Sequence, residues 1–233
     1  MDALSFDIST IDLNGAQVLP DWSGALYWPD EATLIVADLH FEKGSFFAEK
    51  GQFLPPYDSR STLARLADVC GRLRPARVIA LGDSFHDERA EHRIADKDVD
   101  TIRHLTKAHE WLWIAGNHDP APPEHFGGSV VQEVAIGALA FRHEPLDDGF
   151  DGEVAGHFHP CARVRVRGRS MRRRCFLTDG TRMILPAFGA YTGGLDVFDP
   201  ALQPYFPAQF QVWMLGRGKT YALSKARLRR TKS

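Results

Sequence analysis

Three short apolar runs, each ending in a polar motif, constrain this chain more than any other feature. Thr33 to Ala37 reads TLIVA and ends at Asp38. Arg77 to Leu81 reads RVIAL and ends at Gly82-Asp83, and Trp111 to Ala115 reads WLWIA and ends at Gly116-Asn117. Short runs of branched and aromatic residues suit strands buried on both faces. Between them, Leu63, Leu66, Val69 and Leu73, and then Val99, Ile102 and Leu105, recur at helical spacing. Asp58 or Ser59 can cap the first of these helices, and Pro75 ends it. A β-α-β-α-β order predicts a parallel sheet, because parallel neighbours need crossover connections.

The second half changes character. Short β-like runs follow at 129–134, 138–142, 152–155, 161–167, 174–177, 181–185, 195–198, 210–214 and 219–222, punctuated by Gly, Pro and Asp. They predict a mainly antiparallel sheet closing the same unit, so one domain is expected over 1–233, with a basic C-terminal end. At 233 residues and 44% hydrophobic, the chain is long enough for a sizeable core and too apolar for disorder. No apolar run reaches the roughly 18 residues of a membrane span, so no membrane partner is expected. Met1 to Thr10 has two acids and no base, unlike a signal peptide. Cys70, Cys161 and Cys175 are odd in number and lack CxxC spacing, which fits a reducing cytoplasm.

The chemistry collects at the strand ends. Asp38-Leu39-His40 follows the first run, Gly82-Asp83-Ser84-Phe85-His86-Asp87 the second, and Gly116-Asn117-His118-Asp119 the third. His143 closes a later run, and Gly156-His157-Phe158-His159 closes another. Ligands of open α/β sheets gather at the carboxyl ends of strands, so these residues can converge. Asp, Asn and His form a mixed N/O donor set suited to Mn, Fe or Zn. The Asp-x-His and His-x-His spacings put both side chains on one face of an extended segment. Taken singly each motif has a plain reading: a turn, a helix start, or a pair of satisfied core histidines. Together, and in this order, they predict a dinuclear metal site.

That order resembles the calcineurin-like metallophosphoesterase superfamily. The resemblance implies an α/β fold, a two-sheet β sandwich flanked by helices in four α-β-β-α layers. It implies two divalent metal ions, manganese first and Fe, Zn or Mg as alternatives. Asp38, His40, Asp83 and His159 would hold one ion. Asp83, Asn117, His143 and His157 would hold the other, with Asp83 shared. Longer strings, VADLHFEKGSFFAEKGQFLPPYD, VIALGDSFHD, WIAGNHDPAPP, FRHEP, GHFHPCARVRVRGRSMRRRCF and LPAFGAYTGGLDV, are similar to the PdeM family over about residues 34–200. That bacterial family is described as DNA-ligase-associated. The similarity implies work on DNA in repair, beside an ATP-dependent DNA ligase, a helicase and an exonuclease, and related nucleases often form homodimers.

His86 stands where many superfamily members carry an acid, an arrangement similar to the SbcD-type repair nucleases. It is read either as a phosphate contact or as a residue orienting a metal ligand. His118 is the candidate general acid for the leaving oxygen, and Asp119 the residue expected to orient it.

Charge is segregated along the chain. Residues 161–175 carry seven Arg and residues 216–233 seven further cations, with no acid in either segment; net charge is −2, so the remainder carries −16. Arg163, Arg165 and Arg167 alternate with Val164 and Val166, which in a strand gives one arginine face. Such a face can hold a nucleic-acid backbone, or it is a solvated hairpin. The tail from Lys225 reads as a frayed end. Phe46, Phe47, Phe53 and Tyr57 read as core, with base stacking as the alternative. Cys161 and Cys175 read as buried strand residues. Three functions compete: a phosphodiesterase acting on nucleic acid, a phosphoesterase for a small nucleotide or nucleotide-linked substrate, and a scaffold that has lost catalysis. The full set of expected ligands argues against the third.

Overall fold

The computed structural model describes residues 10–230 apart from 53, 56, 88, 122, 123 and 148–150. Phe53, Lys232 and most of the Met1–Thr10 segment lie outside the described residues.

The chain opens with strands the sequence did not announce. β1 (Ile11–Leu13), β2 (Ala16–Pro20) and β3 (Leu26–Trp28) form an antiparallel meander leading into β4 (Thr33–Ala37). β4, β5 (Arg77–Leu81) and β6 (Glu110–Ile114) then run parallel, as expected. α1 (Lys43–Glu49) and α2 (Asp58–Leu73) separate β4 from β5, and α3 (Asp96–Ala108) separates β5 from β6. β7 (Ser129–Val131) completes a seven-stranded sheet ordered β1 to β7.

The expected run at 129–134 is two strands in two sheets. β8 (Glu133–Ile136) begins after one intervening residue and forms the edge of the second sheet. That sheet also holds β9 (Leu139–Arg142), β10 (Glu153–Ala155), β12 (Arg169–Thr178), β13 (Arg182–Ile184), β14 (Gln211–Leu215) and β15 (Thr220–Ser224). Their order is β15-β14-β12-β13-β10-β9-β8, and β11 (Cys161–Val166) pairs with β12 as a hairpin. Most pairs are antiparallel, but β10 runs parallel to both β9 and β13. The parallel pairing brings the ends of β9 and β10 to the same edge. Residues 195–198 form no strand; Asp196 makes a single bridge to Cys161.

The sheets pack face to face through Ile35, Ile79, Leu81 and Ile114 on one side and Phe141, Val154, Phe176 and Met183 on the other. The outer face of the first sheet is covered by α2 and α3 through Leu63, Leu66, Val69, Ile102 and Leu105. The outer layer on the second sheet is the 195–210 segment, with Val197, Leu202, Phe206 and Phe210 buried and a single 3-10 turn at Pro200–Leu202. The protein is thus an α/β two-sheet sandwich with helices on the outer face of the first sheet; the helical layer expected on the second sheet is replaced by the 195–210 segment.

Two local expectations change. Neither Asp58 nor Ser59 caps α2: Tyr57 precedes the helix without a side-chain cap. Asp58 instead accepts the Gly44 amide at 2.8 Å, and the Ser59 hydroxyl accepts the Glu42 amide at 2.8 Å while donating to the Glu42 carboxylate at 2.7 Å. These side chains fix the start of α1. The basic tail is docked through residue 230: Leu228 is buried and the Arg229 amide donates to the Arg163 carbonyl at 2.8 Å.

Candidate metal centre

The carboxyl ends of β4, β5 and β6 deliver Asp38, Asp83 and Asn117; those of β9 and β10 deliver His143, His157 and His159. The two sheets meet at this edge, where Ala37 bridges Ala187 in parallel. All seven expected ligands converge. His143 Nε2 lies 2.8 Å from Asn117 Oδ1, 3.2 Å from His157 Nδ1 and 3.5 Å from Asp83 Oδ1. His157 Nδ1 is 3.1 Å from Asn117 Oδ1. On the other side, donor atoms of Asp38, His40 and His159 lie within 4.8 Å of one another, with His159 Nε2 at 3.2 Å from Asp38 Oδ1. Asp83 faces both groups: Oδ1 points to His143, and Oδ2 lies 3.9 Å from His40 Nε2. Asp38, Asp83 and His143 form a further triad, so Asp38 too reaches both sides.

The backbone is contorted to achieve this. Asp38, His40, Asp83, His157 and His159 all have left-handed φ values, between 46° and 67°. The expected extended segments with alternating faces are therefore absent: each ligand pair sits in a tight left-handed turn. Such conformations cost about 1–3 kcal/mol each in ordinary residues and persist only where surroundings impose them. The surroundings do so here. Asp38 accepts the His157 amide at 3.1 Å, Asp83 accepts the His118 amide at 2.9 Å, and the Asp83 carbonyl accepts the His40 amide at 2.9 Å. Close approach also explains two glycines: a Cβ on Gly82 would sit 2.4 Å from His143 Nδ1, and one on Gly116 would sit 2.4 Å from Asp83 Oδ1.

The donor set fits divalent cations. His40 Nε2 and His159 Nε2 are buried without a hydrogen-bond partner, an arrangement that is costly unless something binds them. The His143 Nδ1 proton is directed at the Leu81 carbonyl at 2.9 Å, which leaves Nε2 free as a ligand, as outer partners of metal-binding histidines do. Burial, with His159 nearby, holds His40 far below the ordinary imidazole range, and burial also lowers His157, which favours the neutral form of each. Neutral imidazole is the form that binds metal.

The next ring of residues differs in part from expectation. His118 Nδ1 lies 3.1 Å from the His86 carbonyl, and His118 Nε2 is 4.0 Å from Asp83 Oδ2. Asp119 does not orient this ring. Its Oδ2 accepts the Ser84 and Phe85 amides at 2.8 and 3.0 Å, locking the loop that carries Asp83, and burial drives its pKa up to about 8. The His86 carbonyl holds His118 instead. His86 stacks on His118 at 5.3 Å and contacts Phe46 edge-on at 4.6 Å; burial, then Lys43, push its pKa down to about 4. Phe46 and Phe47 are thus half-buried beside His86, outside the core, and Tyr57 is exposed. Lys43 was not anticipated. It is half-buried next to Asp38 and Asp83, and burial lowers its pKa. Its one sequence signal is its place three residues after His40.

The arginine run forms the β11–β12 hairpin. Arg163 stands opposite Arg172, and Arg165 opposite Ser170, so Arg163, Arg165 and Arg172 share a face. Arg167 departs from this stripe: with φ of 48°, followed by Gly168 at 79°, it forms the two-residue turn. Cys161 and Cys175 are buried in strands.

A two-sheet sandwich whose strand ends assemble two carboxylates, an amide and four imidazoles defines a metal-dependent hydrolase class. The calcineurin-like phosphoesterase family model matches residues 32–169, and the chain belongs to that family. It is a hydrolytic phosphoesterase of a family that uses divalent metals. Among solved structures it is similar to the Pseudomonas putida nuclease MPE, with 29% identity, a TM-score of 0.73, and coverage of 93% of this chain and 100% of that one. A weaker likeness joins it to Yfce, a phosphoesterase from E. coli, with 13% identity, a TM-score of 0.40, and coverage of 82% of this chain and 98% of that one. No curated protein sequence matches it. No helix among the described residues is long and apolar enough to cross a membrane.

Proposed function

We propose that this chain is a two-metal phosphodiesterase that cleaves DNA in repair, as a single cytoplasmic domain with manganese as its preferred ion. The observation that carries the reading is Asp83, whose two oxygens face two separate donor groups. Asp38, His40, Asp83 and His159 would hold one ion; Asp83, Asn117, His143 and His157 would hold the other. When bound, such ions polarise the phosphoryl group and make water a nucleophile at neutral pH. The resemblance to a nuclease supports a polynucleotide substrate. A ligase, a helicase and an exonuclease remain the expected companions on the family resemblance alone, as does pairing into a homodimer.

The chain's own residues do the rest. His118, half-exposed and fixed by the His86 carbonyl, holds Nε2 4.0 Å from Asp83 Oδ2 and protonates the leaving oxygen. His86 is buried beside His118 with its Nδ1 3.5 Å from His40 Nδ1, placed to orient His40 or to meet the phosphate. Asp119 acts through the backbone, holding the Asp83 turn in place. Arg163 and Arg165 on the hairpin face, with Arg167 at its turn, hold the strand beyond the scissile bond.

The test uses metal-stripped protein with Mn²⁺, Mg²⁺, Zn²⁺ or no addition, beside an Asp83→Ala variant. Substrates are bis-p-nitrophenyl phosphate and labelled DNA. Mn²⁺-dependent cleavage of both, lost in the variant, is expected. Cleavage of the chromogenic diester alone overturns the DNA assignment in favour of a small nucleotide substrate. Undiminished turnover by Asp83→Ala overturns the metal assignment.

A further inference from the structure

Arg65 on α2 and Arg174 on β12 converge on one loop. The Arg65 guanidinium donates to the Phe188 carbonyl and lies 4.6 Å over its ring; Arg174 Nη1 donates to the carbonyls of Ala187 and Gly189 at 2.6 and 3.1 Å. Among the described residues neither meets a carboxylate. Burial, and the charge of Arg174, push Arg65 down to about 10, and burial lowers Arg174 as well. Carbonyl oxygens satisfy donors without neutralising charge, so two part-buried like charges stand side by side.

They open on a cavity of about 1110 Å³ beside the hairpin. Seven arginines line it, among them Arg65, Arg172, Arg174 and Arg217, and no acid does. Trp22 and Tyr221, 38% and 49% exposed, form part of its wall. Concentrated charge of one sign in a concave, partly apolar wall focuses an attractive field for the opposite charge, and guanidinium forks match phosphate oxygens. Such a wall suits an anion. The loop also connects this cavity to the metal centre, because the amides of Phe188 and Gly189 donate to the carbonyls of Ala37 and Asp38 at 2.7 and 3.0 Å.

We propose that this cavity is a second phosphate-binding site, distinct from the metal centre, and that it takes a phosphate of the same polynucleotide strand. The strand as the source of the phosphate rests on the nuclease reading above; the site itself does not. A free phosphate anion offers the same chemistry, so the experiment separates the two sources.

The full chain carrying Asp83→Ala, kept in chelator, is titrated with a labelled oligodeoxynucleotide by fluorescence anisotropy and with pyrophosphate by calorimetry. Arg172→Glu with Arg217→Glu is compared with Lys97→Glu with Lys107→Glu, an equal charge change on exposed positions of α3. Thermal midpoints check folding. Arg217→Glu alone, at an exposed side chain, serves if the pair misfolds. Oligonucleotide affinity should fall about tenfold in the arginine pair and less than twofold in the lysine pair, and the log–log salt slope should drop by roughly 1.5. Equal losses in both pairs, or no binding of either ligand, overturn the site. Pyrophosphate binding lost in the arginine pair, with no oligonucleotide binding, overturns the strand as source. Because binding is read without metal or turnover, failure here is distinguishable from failure of the nuclease reading, which shows as absent DNA cleavage by the unmutated chain with Mn²⁺.

Discussion

Replacing Glu153 by Gln removes a charge and almost no volume. Glu153 lies on β10 with no solvent exposure, between Arg142 of β9 and Arg182 of β13, which are 7% and 5% exposed. Its Oε1 accepts Arg142 Nη1 at 3.1 Å and the Leu146 amide at 2.8 Å, and its Oε2 lies 2.9 Å from Arg182 Nε. Once the carboxylate is gone, Arg142 still meets Glu133 at 2.9 Å, and Arg182 still donates to the Leu146 carbonyl at 3.0 Å. Arg142 then faces the exposed Glu133, and Arg182 keeps a carbonyl where it had a carboxylate. Removing one partner from a buried ion pair costs about 3–5 kcal/mol. The remaining partners put Glu153→Gln at the lower end, about 3 kcal/mol, or a fall in Tm of roughly 6–12 °C for a chain of this size. Thermal unfolding followed by circular dichroism measures this against wild type and Glu133→Ala. The Glu133 pair has a mostly exposed acid and should cost less than about 1 kcal/mol. A Glu153→Gln midpoint within a degree of wild type, or an equal loss in Glu133→Ala, refutes the argument. β9 and β10 lead directly to His143 and His157, so the same cluster anchors two residues of the candidate site.

Gly82→Ala should both destabilise the protein, by roughly 2 kcal/mol, and abolish Mn²⁺-dependent hydrolysis, because φ is 68° and the new Cβ would meet the His143 ring; urea midpoints and diester turnover check this. Adding Mn²⁺ to stripped protein at a hundred times its Kd should stabilise it by about 2.7 kcal/mol, read as a rise in Tm that Asp38→Ala largely loses. Burial raises the Cys70 thiol to about 12 and lifts Cys161 and Cys175 as well. At pH 8 the Cys70 thiolate is then about one part in ten thousand. Mass spectrometry after alkylation should find no label on native protein and three in urea; labelling of the native chain would contradict the packing around β11, β12 and α2.

The residues that gather at this edge were legible because their signals are local. Each lies within a few residues of a strand that announces itself by composition, and parallel strands must end at a common edge, so the order of motifs already implied their convergence. What failed was long-range in origin. The meander of β1 to β3 consists of strands of three to five residues, too short to show a period. Val131 and Glu133 belong to different sheets, because Val131 pairs with Ile114 of β6 and Glu133 with Arg142 of β9, a choice of partner that the run itself does not show. Asp58 and Ser59 carry ordinary capping chemistry, yet a turn at Glu42 and Gly44 takes their oxygens first. The dipeptide His118-Asp119 looks like an imidazole with its orienting carboxylate. Adjacent residues on a tight turn diverge, however, and Asp119 reaches the amides after β5 while a carbonyl from that same loop reaches His118.

That exchange explains how so strained a site is held. Asp83 takes the amide of His118, and Asp119 takes the amides that follow Asp83, so the loops after β5 and β6 brace each other. Asp38 takes the amide of His157 across the two sheets, and the loop after β13 takes the carbonyls of Ala37 and Asp38. Each carboxylate that faces the ions also closes a backbone turn. On the proposed metal assignment, a substitution at Asp38 or Asp83 removes a ligand and releases a loop together, whereas one at Asp119 releases a loop alone. Comparing Asp119→Ala with Asp83→Ala separates these effects. Asp119→Ala should weaken Mn²⁺ affinity while keeping turnover at saturating metal, and a loss of turnover that excess Mn²⁺ does not restore would place Asp119 in the chemistry itself.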